Sequence, residues 1–399
     1  MSTQVLSSTK PTVSTKVAAA TQTTSRFLYI DNIRAFLTVL VLLHHIMIIY
    51  SGSGGWIYHE GRQDTLTEVI GSMFTTVNQA YFMGLFLLIS AYFVPGAFDR
   101  KGTARFWKDR LIRLGIPLVL YSWVIQPLFV YWYLQTTEGL RLPFWIYFTR
   151  QYTSYGEWIG GGPMWFVEAL LIFSLVYTAG RWLLRNRPAI LSAQSAFPTN
   201  RSLALFALLM GLAGFIVRLK FPMGWKFPPL NLQFPYFAQY IIMFAAGLLV
   251  YRRSWLEKLP EATGRFWMKI VGLVLLLYFP GAILGGALES DVPFLGGWTW
   301  QSMFYSLWEA YLCLGISISI LVLFRRYANR QGVVSAFLSR NAYGAYIMQA
   351  PVITATALAL SSLPYHPLLK FILTGLIAVP LCFGVSRLLR MLPFADRVL

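Results

Sequence analysis

The sequence predicts an all-α protein, a polytopic transmembrane bundle of about ten helices. Of its 399 residues, 57% are hydrophobic and only 12% are charged, which excludes an ordinary soluble domain. The apolar residues come in blocks of about 20, the length that a helix rising about 1.5 Å per residue needs to cross about 30 Å of hydrocarbon. These blocks are continuous, whereas a transmembrane barrel shows short alternating segments. Helices are therefore the expected spanning elements.

Ten apolar blocks are candidate membrane spans. They cover residues 29–50, 74–94, 114–134, 164–184, 202–219, 234–250, 270–288, 302–324, 342–361 and 368–385. The fifth and sixth blocks are short, and the segment between them is rich in proline. The hydropathy pattern therefore does not determine the precise number of helices around residues 202–250.

Basic residues are distributed unevenly over the segments that connect these spans. With the N-terminus inside, 25 of the 33 Lys and Arg residues fall on inner segments and six, including Arg218, on outer ones; Arg34 and Lys370 lie at span edges. Because positively charged loops stay cytoplasmic, both termini are predicted to be inside, with the protein in the cell membrane. The same asymmetry explains the net charge of +18 as an inner face near anionic lipid, rather than a nucleic-acid surface.

The first 25 residues are rich in Ser and Thr and contain no acidic residue, so they are predicted to form a disordered cytoplasmic tail. Residues 26–399 then form the transmembrane domain, whose first span is too long for a cleavable signal peptide. Cys313 and Cys382 lie within apolar spans, which favours small core residues over a disulfide or a metal site. Four histidines without ligand spacing suggest no metal.

Polar side chains within the spans are the candidates for function, because a charged group near the bilayer centre costs about 2.5–3.5 kcal/mol. The candidates are Asp31, Arg34, His44, His45, Arg110, Arg113, Glu168 and Glu309. Of these, Glu309 lies deep in the eighth span and has no partner that the sequence identifies.

Arg34 and His45 share one face of the first span. They are eleven residues apart, so at about 100° per residue they differ by only about 20° around the helix axis. A rise of about 16 Å places Arg34 near the inner surface and His45 in the outer half of the membrane. His44 is rotated about 100° from His45. A lone histidine near a helix end often satisfies only an interfacial hydrogen bond, but the alignment with Arg34 favours a functional role for His45 over His44.

An arginine pair and a glutamate each keep two interpretations. Arg110 and Arg113 lie on adjacent turns of one face, where they either anchor the helix at the inner headgroups or bind phosphates with their forked donors. Glu168 lies at a depth similar to that of His45, where it either supports an imidazole or pairs with another helix.

Five segments in order resemble the acyltransferase 3 family of membrane-embedded O-acyltransferases. The first is Asp31-Asn32-Ile33-Arg34 with ten residues before His45, similar to the family's Arg-X10-His signature. The others are GLFLLISAYF at 84–93, RLIRLGIP at 110–117, GPMWF at 162–166 and SRNAYGAYI at 339–347. The resemblance runs from about residue 26 to about residue 390.

Two departures from the family pattern are visible. Many members carry a histidine where this chain has Gln349, which leaves the role of that position open. Some members carry an additional hydrolase-like domain, which we expect this chain, ending at Leu399, to lack. The bare membrane domain is closer to the branch that modifies glucans.

The resemblance implies an acyltransferase that transfers groups other than amino-acyl groups. It would move an acyl group from cytosolic acyl-coenzyme A to a hydroxyl of a carbohydrate or cell-envelope glycan at the outer face. Arg34, Arg110 and Arg113 would hold the coenzyme A phosphates, and the pantetheine arm would run toward His45. There His45 would act as general base and Glu168 would stabilise the imidazolium, with an acyl-histidine relay as an open alternative.

Asp31 and Gln349 are candidates for supporting this site. Acyl-coenzyme A is then a co-substrate, and no bound cofactor is expected. The expected partners are membrane lipid, acyl-coenzyme A and a carbohydrate acceptor, without nucleic acid.

Two other functions compete with acyl transfer. A proton-coupled secondary transporter would use Glu168, Glu309 or His45 as a relay group, although the sequence shows no paired repeats with matched broken helices. A non-catalytic scaffold subunit is the third hypothesis, which the buried arginine and histidine disfavour.

Overall fold

The computed structural model describes residues 27–60, 64–150, 152–155, 161–184, 195–227, 230–287 and 289–399. The predicted tail, residues 1–25, lies outside this part of the chain. Over the described ranges the protein is helical, and its only strand-like pairing is an isolated bridge between Phe227 and Leu232. The all-α prediction is confirmed.

Fifteen α-helices follow one another along the described residues. They are α1 (Leu28–Ser51), α2 (Thr65–Arg110), α3 (Ile116–Leu120), α4 (Gln126–Thr137), α5 (Phe144–Arg150), α6 (Trp165–Leu183), α7 (Asn200–Arg218), α8 (Phe237–Arg252), α9 (Trp255–Lys258), α10 (Glu261–Leu284), α11 (Val292–Leu295), α12 (Trp300–Tyr327), α13 (Val333–Ala359), α14 (Pro367–Leu389) and α15 (Ala395–Val398). Two π-helical turns, Leu111–Gly115 and Tyr121–Ile125, join α2 to α4, and 3-10 turns precede α6 (Gly162–Met164) and α8 (Phe234–Tyr236).

Over the described residues, each of the ten predicted spans overlaps a helical segment. Within the described residues, eight helical segments are long and apolar enough to cross a membrane. One of them, Thr65–Thr137, contains both the second and the third predicted spans, and α13 contains the ninth. The polytopic helical bundle is therefore confirmed, while the orientation of the termini stays a prediction.

The first helix, α1, lies at the centre of the bundle. It packs against α2, α12, α13 and α14. Its side chains are buried on several faces, among them Ile33, Leu37, Leu42 and Ile46, each at 0% exposure. A helix that is apolar and buried on several faces is enclosed by other helices, so the buried polar side chains on α1 face neighbouring helices, whereas Arg34 is exposed.

The second helix, α2, begins at a cap and is bent at an elbow. Asp64 caps its start by accepting from the backbone N–H of Thr67 at 3.0 Å. Gly102 breaks the helix with φ of 70°, a left-handed value that suits glycine. Beyond the elbow the chain returns through the two π turns into α4, which is how one continuous helical stretch contains two crossings.

Close packing of α2 against α8 depends on a glycine. A Cβ atom at Gly247 of α8 would lie 2.3 Å from the carbonyl oxygen of Leu88 in α2. Only a residue without a side chain allows this approach, as is usual where helices meet in membranes. The α2–α8 pair is therefore closely packed, and α2 in turn packs against α1.

The helix ends lie on two faces of the bundle. We call the end where α1 begins the basic face; there Asp99 pairs with Arg252 at 2.6 Å and with Arg181 at 3.1 Å. On the same face Asn32 donates to the carbonyl oxygens of Ala328 and Arg330, which ties α1 to the loop between α12 and α13. We call the other end, where α1 finishes and α14 starts, the opposite face.

Candidate active site

His45 lies in the half of α1 nearer the opposite face and is hydrogen-bonded to α13. Its Nδ1 lies 2.9 Å from Oε1 of Gln349, which is fully buried. Pro351 follows two residues later within α13, where its ring prevents a regular backbone hydrogen bond. The glutamine that marked a departure from the family pattern is thus the side chain that contacts the predicted catalytic histidine.

This contact sets the tautomer of His45. A carboxamide oxygen can only accept, so the hydrogen of a neutral imidazole must be on Nδ1. The lone pair of Nε2 is then available to take a proton, which is the state that a general base requires. Gln349 itself does not titrate, so it holds the ring without competing for the proton.

An indole covers one face of the imidazole. Trp56, in the loop of residues 52–60 after α1, stacks on His45 with ring centroids 4.5 Å apart and an angle of 28° between the planes. Its Nε1 donates to Oγ1 of Thr354 in α13 at 3.1 Å. Trp56 is not predictable from the sequence, because a stacking partner from a loop has no periodicity that would reveal it.

His44 occupies different surroundings, as its rotation around α1 requires. Its ring packs on Phe82 of α2 with centroids 4.9 Å apart and is only 6% exposed. Across the described part of the chain its Nδ1 has no hydrogen-bond partner. His44 is therefore a core side chain by its contacts, whereas His45 faces polar groups.

The three predicted phosphate-binding arginines lie toward the basic face. Arg34 and Arg113 are exposed, and Arg110 is half-buried with its guanidinium 5.2 Å from the ring centroid of Phe106. The backbone oxygen of Arg113 accepts from the Tyr343 hydroxyl at 2.8 Å, which joins this segment to α13. Asp31, one turn before Arg34, is partly exposed. The role of these residues stays a prediction.

Glu168 lies in the first turn of α6 and is 5% exposed. Among the described residues its Oε2 has no hydrogen-bond partner. The side chain hydrogen-bonded to His45 is Gln349, and the described residues show no hydrogen bond between Glu168 Oε2 and the imidazole. A buried carboxylate with an unused oxygen is nevertheless a costly feature that a bound polar group would satisfy.

The glycine-proline segment before α6 positions Glu168 relative to α13. Gly162 has φ of 57°, and a Cβ there would lie 3.2 Å from the Tyr121 hydroxyl. The carbonyl of Pro163 accepts a hydrogen bond from Tyr346, one turn before Gln349. The segment thus connects the start of α6 to α13, the helix whose Gln349 is hydrogen-bonded to His45.

An open apolar groove with a volume of about 410 Å³ lies between α4 and α13. Its lining includes Phe129, Trp132, Met348 and Pro351, but neither His45 nor Arg34. A passage shared by Arg34 and His45 therefore stays a prediction.

The partner of Glu309, which the sequence did not identify, is Arg218. Their side chains are 4% and 1% exposed, and Arg218 Nη2 lies 2.7 Å from Glu309 Oε2. Arg218 also donates to Ser306 Oγ at 3.1 Å. The charge count placed Arg218 on an outer segment, but it is buried at the end of α7, where a carboxylate from α12 compensates it.

Comparison with known proteins identifies the family to which this chain belongs. The model of the acyltransferase 3 family, described as an acyltransferase domain, matches residues 27–387. The chain belongs to the acyltransferase 3 family. The match includes α1 with Arg34 and His45 and continues through α13 and most of α14, so the family assignment agrees with the resemblance read from the five segments.

Curated relatives of this acyltransferase 3 family protein are more distant. The chain is 27% identical over 191 residues to glucans biosynthesis protein C of Salmonella schwarzengrund (strain CVM19633), which is 48% of this chain and 48% of the relative. It is 34% identical over 91 residues to the protein of the same name from Salmonella heidelberg (strain SL476), which is 23% of this chain and 22% of the relative. The alignments thus span about half or less of these relatives. No solved structure matches the chain.

Loss of the Gln349 contact should slow catalysis without unfolding the site. We expect Gln349→Leu to lower kcat for acyl transfer by at least about tenfold, because the imidazole loses the acceptor that sets its tautomer. Gln349→His, which keeps a nitrogen acceptor at this position, should retain more activity than the leucine variant. Steady-state kinetics of both variants test this, and equal activity of wild type and Gln349→Leu would contradict the tautomer role.

Proposed function

We propose that this protein is a membrane-bound O-acyltransferase that moves an acyl group from acyl-coenzyme A to a hydroxyl of a carbohydrate. The observation that carries the proposal is the 2.9 Å contact between His45 Nδ1 and Gln349 Oε1, since it leaves Nε2 as a base within the membrane. Membership of the acyltransferase 3 family supports the reaction class. The name of the relatives, glucans biosynthesis protein C, supports a glucan as the acceptor class.

In the proposed reaction His45 transfers the proton. Nε2 removes the hydrogen of the acceptor hydroxyl as its oxygen bonds to the acyl carbon. The carbon–sulfur bond of the thioester then breaks, and the coenzyme A sulfur leaves with the proton returned by the imidazolium. Glu168, whose Oε2 lacks a partner among the described residues, supports the charged intermediate or binds a polar group of the substrate. Transfer through an acyl-histidine uses the same nitrogen as nucleophile.

The donor is proposed to enter from the basic face. Arg34 and Arg113 are exposed there and Arg110 is half-buried, so they offer forked donors that suit phosphate oxygens. A separation of about 16 Å along α1 between Arg34 and His45 matches an extended arm rather than a compact ligand. With the basic face on the cytosolic side, as the charge distribution predicts, the acceptor approaches His45 from outside the cell.

Transfer itself is the test of the proposed function. Purified protein is incubated with acetyl-coenzyme A carrying a labelled acetyl group and with a glucan acceptor, and label on the glucan is measured. Labelled glucan supports the proposal. Its absence, together with substrate flux in proteoliposomes lacking an acyl donor, would instead indicate a transporter.

Removing a phosphate-binding arginine should weaken donor binding. Coenzyme A should raise the melting temperature of the wild-type protein, because a ligand that binds only the folded state stabilises it. We expect this shift to fall strongly in Arg34→Ala and in Arg110→Ala/Arg113→Ala. Arg265→Ala is the matched control, since Arg265 is 66% exposed at the start of α10 on the same face. An unchanged shift in Arg34→Ala would contradict the phosphate role.

A further inference from the structure

The loop of residues 52–60 is held firmly over the end of α1. Gly52 ends the helix in a left-handed conformation, with φ of 69° and its N–H on the oxygen of Ile48 at 3.1 Å. Eight residues later the N–H of Glu60 returns to the oxygen of Ile49 at 2.8 Å. The loop therefore leaves α1 and comes back to its last turn.

A buried ion pair fixes the far end of this loop. Glu60 Oε1 lies 2.8 Å from Lys370 Nζ of α14, and the two side chains are 9% and 5% exposed. Lys370 also donates to the oxygen of Ser361 at 2.8 Å, and Tyr58 donates to Glu60 Oε2 at 3.1 Å. The ion pair and its hydrogen bonds therefore tie the end of the loop to α14.

Trp56 lies in the middle of the fixed loop, and its contacts restrain His45. The indole stacks on the imidazole, and its Nε1 is held by Thr354, which is fully buried. Stacking uses a face of the imidazole, whereas the hydrogen bond to Gln349 uses its edge. Together the two contacts hold the ring in one orientation, and neither of them uses Nε2.

The indole is not enclosed. Within the described residues its only aromatic contact is His45, and the side chain is half-buried. Part of its surface is therefore accessible next to the proposed base. An indole surface of this kind suits the apolar C–H face of a pyranose ring, since aromatic walls with a few polar groups are typical of sites for small organic ligands.

We propose that Trp56 is a positioning residue for His45 and the wall on which the sugar ring of the acceptor stacks. The inference rests on the proposed function, because it takes a carbohydrate as the acceptor. Both roles of Trp56 have one structural cause. The same indole ring touches the imidazole and remains partly accessible at the end of the bundle where α1 finishes. The fixed loop keeps both surfaces in place before any substrate arrives.

Chemical labelling tests the positioning part without any acyl transfer. Diethyl pyrocarbonate reacts with neutral imidazoles, and mass spectrometry of the full-length protein in detergent measures the rate at His45 relative to His59, which is exposed in the same loop. We expect Trp56→Ala to raise this ratio about tenfold, and Trp56→Phe to raise it less because a ring still stacks. Trp298→Ala, at a tryptophan that is 84% exposed, should leave the ratio unchanged. An unchanged ratio in folded Trp56→Ala would overturn the positioning role.

Binding of a short β-linked glucose oligosaccharide tests whether Trp56 stacks on the acceptor sugar, and it needs no acyl donor. We expect wild type and Trp298→Ala to bind it, and Trp56→Ala to bind about tenfold more weakly, with coenzyme A stabilisation retained. Thr354→Val should weaken binding and Thr354→Ser should restore it, because serine keeps the acceptor for Nε1. Equal oligosaccharide affinity in Trp56→Ala and wild type, or no binding by wild type, would overturn the role of Trp56 as the stacking surface for the sugar. Failure of acyl transfer with oligosaccharide binding intact would count against the proposed function alone.

Discussion

Replacing His45 with alanine should abolish acyl transfer while leaving donor binding intact. A positioned general base contributes about 10²–10⁴-fold to rate, and the alanine variant has no other imidazole in contact with Gln349. Coenzyme A should still raise the melting temperature of this variant, because the proposed phosphate contacts are about 16 Å away along α1. Transfer of a labelled acyl group and thermal unfolding with and without coenzyme A measure the two effects.

His44 provides the matched control, because it is the neighbouring residue with the same side chain. Its ring packs on Phe82 in the core, so His44→Ala should lower stability but retain transfer at temperatures where the protein is folded. Loss of transfer in folded His44→Ala together with full transfer in His45→Ala would show that the assignment of the two histidines is reversed.

Breaking the Arg218–Glu309 pair should destabilise the protein more than any surface ion pair. Removing one partner of a buried pair leaves the other charge uncompensated, which costs about 3–5 kcal/mol. We therefore expect Arg218→Met and Glu309→Leu each to lower the melting temperature strongly. The double variant should recover much of the loss, because no unpaired charge remains. Thermal unfolding in detergent measures all three.

An exposed pair on the basic face is the control for this comparison. Arg326 lies 3.0 Å from Glu261, and the side chains are 51% and 48% exposed. Exposed pairs contribute about 0–1 kcal/mol, so Arg326→Met should unfold close to the wild-type temperature. A double variant of Arg218 and Glu309 as unstable as either single variant would contradict the electrostatic explanation.

The spans were predictable because the thickness of the bilayer imposes a length that hydropathy records directly. The surroundings of the two histidines were partly predictable for a similar reason. Adjacent residues on a helix differ by about 100°, so His44 and His45 had to face different neighbours. Both arguments use regularities of a single helix, which the sequence contains in full.

Contacts between distant segments were not predictable in this way. Arg218 meets Glu309 91 residues later, and Glu60 meets Lys370 310 residues later. Periodicity in one helix carries no information about which partner another helix presents. Trp56 is a related case, since it reaches His45 by a loop whose path depends on the ion pair at its end. The family resemblance indicated Gln349 as a position of interest but not its contact with His45.

The two π turns between α2 and α4 give the third crossing a property that regular helices lack. Each wide turn accommodates one extra residue, and Arg113, in the first of them, has its carbonyl satisfied by Tyr343 of α13. One extra residue displaces the side chains that follow it by about 100° around the helix axis and about 1.5 Å along it, compared with a regular helix. The winding of this turn therefore helps to determine which neighbours the side chains of the third crossing meet, and the angular spacing of a regular α-helix does not apply from Arg110 across it.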